Sequence, residues 1–181
     1  MSVDGLTPGE RSITFDQFHI TEDNEEGYRA VIDALERRRG MVTLTGQWGR
    51  GKSLLLICAV NWARERGMLA VYSRVADILD YLRRAYDPSA NVSADARWDL
   101  LMRTDVLALD EMDRFNTTQW ALEQFFRLVD NRWREMDRRL TLFATNTPVN
   151  VLPGEIASRL RDGRAVICTL KGPDMRPAAE W

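Results

Sequence analysis

Gly46-Gln47-Trp48-Gly49-Arg50-Gly51-Lys52-Ser53 decides the reading of this chain. The run satisfies G-x-x-x-x-G-K-[ST], and its surroundings suit that pattern. Before it, Met41 to Thr45 is a short apolar stretch that reads as a strand. After it, from Lys52 to Arg66, the residues Leu55, Cys58, Ala59 and Trp62 recur at helical spacing. Glycines between a strand and a helix let the backbone curl, so that its N–H groups converge on phosphate oxygens at the positive helix end. In that geometry Lys52 reaches the β- and γ-phosphates of a nucleotide, and the Ser53 hydroxyl coordinates Mg²⁺. Only two of the 25 basic side chains, Lys52 and Lys171, are lysines, which makes Lys52 conspicuous.

The next signal lies at the end of a second apolar run, Val106-Leu107-Ala108-Leu109, which stops at Asp110-Glu111. A carboxylate at the C-terminal end of a strand beside the phosphate loop is where a Mg²⁺-associated Asp belongs, which makes Asp110 part of the nucleotide site. Glu111 points to the other side of the strand and is the candidate general base that polarises an attacking water. A third run, Leu140 to Ala144, ends in Thr145-Asn146. The Asn146 amide is placed to orient that water or to contact the γ-phosphate, although a turn or cap ahead of Pro148 fits the same position. Ser158-Arg159-Leu160-Arg161 follows, and then Arg176. Arginines near the end of a nucleotide-binding domain are candidates for charge stabilisation, in cis or from a neighbouring subunit. Spacing alone favours surface ion pairs for both.

Around these motifs the chain alternates strands with helices. Helices are predicted over Asn24 to Arg39, Lys52 to Arg66, Val75 to Tyr86, Trp98 to Met102 and Val151 to Leu160. Another, capped by Thr117 or Thr118, carries the stripe Leu122, Phe125, Phe126, Val129 and Trp133. Strands are predicted at 41–45, 70–73, 105–109, 140–144 and 165–170, with a mobile, turn-rich loop over Asp87 to Asp95. This pattern predicts one α/β sandwich with a mainly parallel sheet, preceded by a loose lead-in over residues 1–12. The 181 residues suffice for one core, and no run approaches a membrane span. A net charge of −2 argues against a strongly basic nucleic-acid binder, while leaving room for local patches such as Arg83-Arg84 beside Tyr81 and Tyr86. One histidine and two cysteines do not make an ordinary zinc site; Cys58 and Cys168 read as buried thiols in a reducing cytosol.

Taken together, these motifs resemble the AAA+ ATPases of the DnaC/IstB group, the helicase loaders and transposition helpers of bacteria and phages. The resemblance runs from Ile13 to Arg176. It takes in Thr14-Phe15 with Phe18, the phosphate loop, Val75 to Arg83 and Leu109-Asp110-Glu111. It continues through Trp120 to Gln124, Asn131-Arg132-Trp133, Ala144-Thr145-Asn146, Ser158-Arg159-Leu160 and Asp174-Met175-Arg176. It implies an AAA+ domain over residues 13–181, a five-stranded parallel sheet in order 5-1-4-3-2, and a minimal C-terminal lid. It also implies that Asn146 is sensor 1, Arg159 an arginine finger acting in trans and Arg176 the sensor 2 arginine, with Phe15 and Phe18 near the adenine. The implied function is Mg²⁺-dependent ATP binding and hydrolysis in a cytoplasmic DNA-replication accessory protein. Such a protein forms a nucleotide-dependent ring or spiral on single-stranded DNA and loads a replicative helicase; the alternative is a helper that recruits a transposase to DNA. Two departures stand out. The chain starts almost at the ATPase core, without the partner-binding segment usual in the group, and Asp110-Glu111 stands where Asp-Asp is common.

Overall fold

The computed structural model describes residues 3–86 and 92–175. Its sheet has five parallel strands: β1 (Gly40–Thr45), β2 (Ala70–Arg74), β3 (Val106–Asp110), β4 (Leu140–Thr145) and β5 (Val166–Thr169). Their order is β2-β3-β4-β1-β5, the predicted 5-1-4-3-2 read from the other edge. The strands between the helices are short and β-branched or apolar because both faces are covered. Along β3, Leu107 and Leu109 enter the core on one side of the sheet, and Val106 and Ala108 enter the core on the other.

Helices α1 (Glu25–Arg37) and α2 (Lys52–Glu65) cover one face, burying Val31, Leu35, Leu55 and Leu56. Helices α3 (Val75–Arg83), α4 (Ala94–Arg103), α5 (Gln119–Arg134) and α6 (Gly154–Leu160) cover the other. Of the two possible caps for α5, Thr118 is the one used: its hydroxyl accepts the Ala121 N–H at 3.3 Å. Ser93 does the same for α4 through Ala96, which lengthens that helix upstream of the stretch predicted at Trp98. Helix α3 ends earlier than predicted and passes into a 3₁₀ turn over Arg84–Tyr86. The predicted mobile loop lies largely at residues 87–91, outside the described residues.

The buried face of α5 is rotated from the predicted stripe. Phe125 and Val129 are buried, but Leu122, Phe126 and Trp133 sit at the rim, and Arg132 points inward instead. Its guanidinium donates to Thr141 Oγ1 (2.8 Å) and to the backbone oxygens of Thr104 (2.7 Å) and Leu140 (2.6 Å). Those acceptors belong to the α4–β3 turn and the start of β4, so one side chain ties three elements together. Trp62, on the predicted stripe of its helix, is half-buried, as is Trp120; the two rings are roofed by the guanidinium groups of Arg66 and Arg83. Stacking on an arginine shields the ring without burying it.

The loose lead-in expected over residues 1–12 needs correcting from Val3 onward. Val3 and Leu6 are buried, and the Gly5 N–H donates to Tyr72 O at 2.8 Å, along the outer side of β2. Asp4 pairs with Arg64 at 2.8 Å and with Arg11 at 3.1 Å. β2 is a sheet edge, and a segment laid beside it satisfies a carbonyl that would otherwise face solvent.

Candidate nucleotide site

The C-terminal ends of β1, β3 and β4 open on a cavity of about 500 Å³ whose floor is the phosphate loop. The loop's glycines are required by its path. Gly46 has φ +137°, and a Cβ there would lie 2.3 Å from Leu170 O; Gly49 has φ +74°, and a Cβ would lie 1.8 Å from an Asp174 oxygen. The loop thus packs under the segment that follows β5, and the Met175 N–H donates to Gly49 O at 2.8 Å. Gly51 then leads into α2, whose first residue is Lys52.

Lys52 Nζ donates to Gly46 O (2.6 Å), Gln47 O (2.7 Å) and Asn146 Oδ1 (3.0 Å), so all three of its protons are used. Burial pushes its pKa below the ordinary lysine value, against the opposing pull of the Asp110 and Asp113 carboxylates. Ser53 is exposed beside it, on the first turn of α2. Trp48 and Arg50 line the mouth, with Trp48 55% exposed.

Asp110 is buried at the end of β3. One oxygen accepts the Tyr72 hydroxyl at 2.7 Å and the other the Glu111 N–H at 2.8 Å. Burial raises the Tyr72 pKa, and the Asp110 charge raises it further, so the phenol stays a donor and holds the carboxylate fixed. Glu111 turns through a left-handed backbone, φ +52°, which aims its side chain out of the strand line and into the cavity lining. Its carboxylate lies 3.9 Å from Arg114, whose guanidinium also faces the Trp48 ring at 5.8 Å.

Lys52, Ser53, Asp110, Glu111 and Asn146 are therefore brought together. Arg159 is not. It lies on α6, donates to Asp130 at 2.7 Å and stacks on Trp133 at 4.4 Å. Arg176 lies outside the described residues. Phe15 and Phe18 form an aromatic cluster with Tyr28, both ring pairs at 5.7 Å, and Phe18 also packs against Gly51. Both thiols are buried, and burial raises each pKa to about 11. Among the residues that the sequence reading did not assign to the site are Arg114, which lines the cavity, and Tyr72 and Asp113, which bond to residues lining it. For Asp113 and Arg114 the only signal was proximity to Glu111; Tyr72 gave none.

Ser53 and Asp110 supply a hydroxyl and a carboxylate, the hard oxygen donors that suit Mg²⁺. Among the described residues no cluster of three or more His, Cys, Asp or Glu side chains is arranged to hold a metal. A Mg²⁺ ion here would thus rely on nucleotide phosphates and water for its remaining ligands.

A parallel sheet in this order, with a phosphate loop after β1 and an Asp-Glu pair ending β3, defines a P-loop nucleotide-binding domain of AAA+ type. The chain belongs to the IstB-like ATP binding protein family, whose profile matches residues 18–151. Among solved structures, DnaA of Aquifex aeolicus with bound AMPPCP superposes with a TM-score of 0.80 at 21% identity, covering 95% of this chain and 53% of that one. The replication initiator DnaA bound to AMPPCP and single-stranded DNA gives 0.79 at 22%, covering 94% and 52%. The DnaC helicase loader gives 0.74 at 13%, covering 91% and 100%. At these identities the likeness is one of fold, and this chain spans about half the length of the DnaA chains. No match is found among curated proteins. Among the described residues no helix is long and apolar enough to cross a membrane.

Proposed function

We propose that this protein hydrolyses ATP and acts as a cytoplasmic DNA-replication accessory protein of the helicase-loader kind, assembling on single-stranded DNA. The observation that carries the ATPase reading is the convergence of Lys52, Asp110, Glu111 and Asn146 on one cavity from two strand ends and a helix start. The loop's N–H groups and the N-terminus of α2 receive the phosphates. Lys52 exchanges its carbonyl acceptors for β- and γ-phosphate oxygens. Ser53 and Asp110 would hold a Mg²⁺ ion, which would supply neutralisation of phosphate charge. Glu111 accepts a proton from water as the water oxygen bonds to the γ-phosphorus. The bond from that phosphorus to the bridging oxygen breaks, and ADP leaves with the electron pair. Asn146 orients the water. Arg159 completes the site of a neighbouring subunit in a ring or spiral, Arg176 contacts the nucleotide in cis, and Phe15 and Phe18 flank the adenine.

The loader reading draws support from the fold shared with the DnaC helicase loader over nearly all of both chains. The match to the IstB-like family favours a second reading, a helper that recruits a transposase. Purified protein separates the parts. Lys52→Ala is expected to weaken ATP affinity about tenfold to a hundredfold by removing charge-assisted phosphate contacts. Glu111→Gln is expected to bind ATP normally and turn it over at least about a hundredfold more slowly. Parental turnover in Glu111→Gln would remove Glu111 as the base. Affinity capture with the Glu111→Gln protein and ATP then distinguishes the partners: a replicative helicase supports loading, and a transposase supports the helper.

A further inference from the structure

Asp113 is the third residue after Asp110 and the hub of a network that neither strand end explains alone. Its Oδ1 accepts the Asn146 backbone N–H at 3.2 Å, and its Oδ2 accepts the Thr147 hydroxyl at 3.2 Å. The Asn146 side-chain NH₂ lies 3.4 and 3.5 Å from the two carboxylate oxygens. On the far side, Asn146 Oδ1 accepts from Lys52 Nζ at 3.0 Å. A carboxylate only accepts and an ammonium only donates, so the amide has one orientation compatible with both neighbours. Reversing it would set an oxygen against the Asp113 carboxylate and an NH₂ against the Lys52 ammonium. Asp113 also draws on Lys52 through its charge, so the turn after β3, the end of β4 and the phosphate loop are linked through one amide.

We infer that Asp113 is a positioning residue that fixes Asn146 with its amide oxygen, not its NH₂, toward the nucleotide cavity. Asn146 then works as a hydrogen-bond acceptor, holding Lys52 before nucleotide arrives and afterwards accepting a hydrogen bond from the attacking water, whose proton goes to Glu111. A donor role toward the γ-phosphate would require breaking the contact with Asp113. The consequence for hydrolysis rests on the ATPase reading above; the orientation of the amide does not.

Two measurements keep these apart. The first is the side-chain amide resonance of Asn146 in ¹⁵N-labelled protein without nucleotide, assigned by its loss in Asn146→Ala. Asp113→Asn is nearly isosteric but removes the carboxylate that selects the orientation, and it is expected to shift or broaden this resonance while leaving most others in place. An unchanged Asn146 resonance overturns the inference, whatever the protein hydrolyses. The second is a double-mutant cycle on turnover. Asp113→Ala is expected to lower kcat about tenfold to a hundredfold, with the affinity for a non-hydrolysable ATP analogue within about threefold of the parent. In an Asn146→Ala background the same change is expected to cost nothing further. Additive losses, or a loss of analogue affinity equal to the loss of kcat, overturn the positioning role. Absence of turnover in the parent protein would instead refute the ATPase reading and leave the resonance to judge Asp113.

Discussion

Asp130 shows how a single residue can be decided by its neighbours. Burial alone would raise its carboxyl pKa, but hydrogen bonds from Arg159 and Arg134 outweigh that effect and hold it below the usual carboxylate range. A folded-state pKa below the unfolded value of about 3.9 gives stability that is complete above that pH and lost as pH falls through the folded value. Asp130→Asn is therefore expected to cost roughly 1 kcal/mol at pH 7. The difference from the parent is expected to shrink progressively as pH falls below the unfolded value, as read from urea unfolding over a descending pH series. A difference that stays constant across the series would mean that lost packing, not charge, is responsible. The same ion pair accounts for why Arg159 was ambiguous in the sequence. Its partner lies 29 residues away on another helix, and nothing local to Ser158-Arg159-Leu160 announces it. Lys52, Ser53, Asp110, Glu111 and Asn146 were legible because each sits at a fixed offset from a strand or helix end. Asp113 and Tyr72 were not, because their roles consist of contacts between strands.

At the scale of elements, α5 carries the largest surprise. Hydrophobic periodicity places its inward face along Phe125 and Val129, yet Arg132 lies on that face and is 1% exposed. Among the described residues no carboxylate hydrogen-bonds to it, and its charge is met by backbone carbonyl oxygens and one threonine hydroxyl. Periodicity ranks arginine as solvent-facing, so the pattern had no means of finding it. Arg132→Ala is expected to destabilise the fold by about 3–5 kcal/mol, since it leaves a void and several unpaired buried acceptors. Arg134→Ala, two residues on and exposed, is expected to cost less than about 1 kcal/mol. Equilibrium denaturation of both variants checks the contrast, and comparable losses would show that Arg132 is dispensable. The same reasoning covers the N-terminal segment. Val3 and Leu6 are too few for a periodic signal, and their burial follows from an exposed sheet edge elsewhere in the chain.

On the scale of the whole molecule, Arg159 pairs with Asp130 and does not line the cavity, which is consistent with the proposed role in trans. Arg159→Ala and Lys52→Ala subunits are each expected to be inactive alone, and their mixture is expected to regain part of the turnover at mixed interfaces. A mixture at baseline, with mixed oligomers demonstrated by mass spectrometry, would remove the trans role. DNA binding belongs to this scale as well, because a chain of net charge −2 has little counterion release to offer as a monomer. Single-stranded DNA affinity is expected to need an ATP analogue, to fall steeply with salt and to weaken in Arg83→Ala/Arg84→Ala. Fluorescence anisotropy checks this, and equal binding without nucleotide would uncouple assembly from ATP. Arg83 already stacks on Trp120 at 4.7 Å, so its availability to DNA depends on leaving that ring. The sequence by itself determined the alternation of strands and helices, the phosphate loop and the acidic and amide strand ends, because these follow from periodicity and from offsets along the chain. The inward turn of Arg132, the anchoring of Val3 and Leu6, and the orientation of Asn146 by Asp113 were decided only by the tertiary structure. Each depends on donors, acceptors or bare edges supplied by segments far away in sequence, and no local pattern encodes which of them will meet.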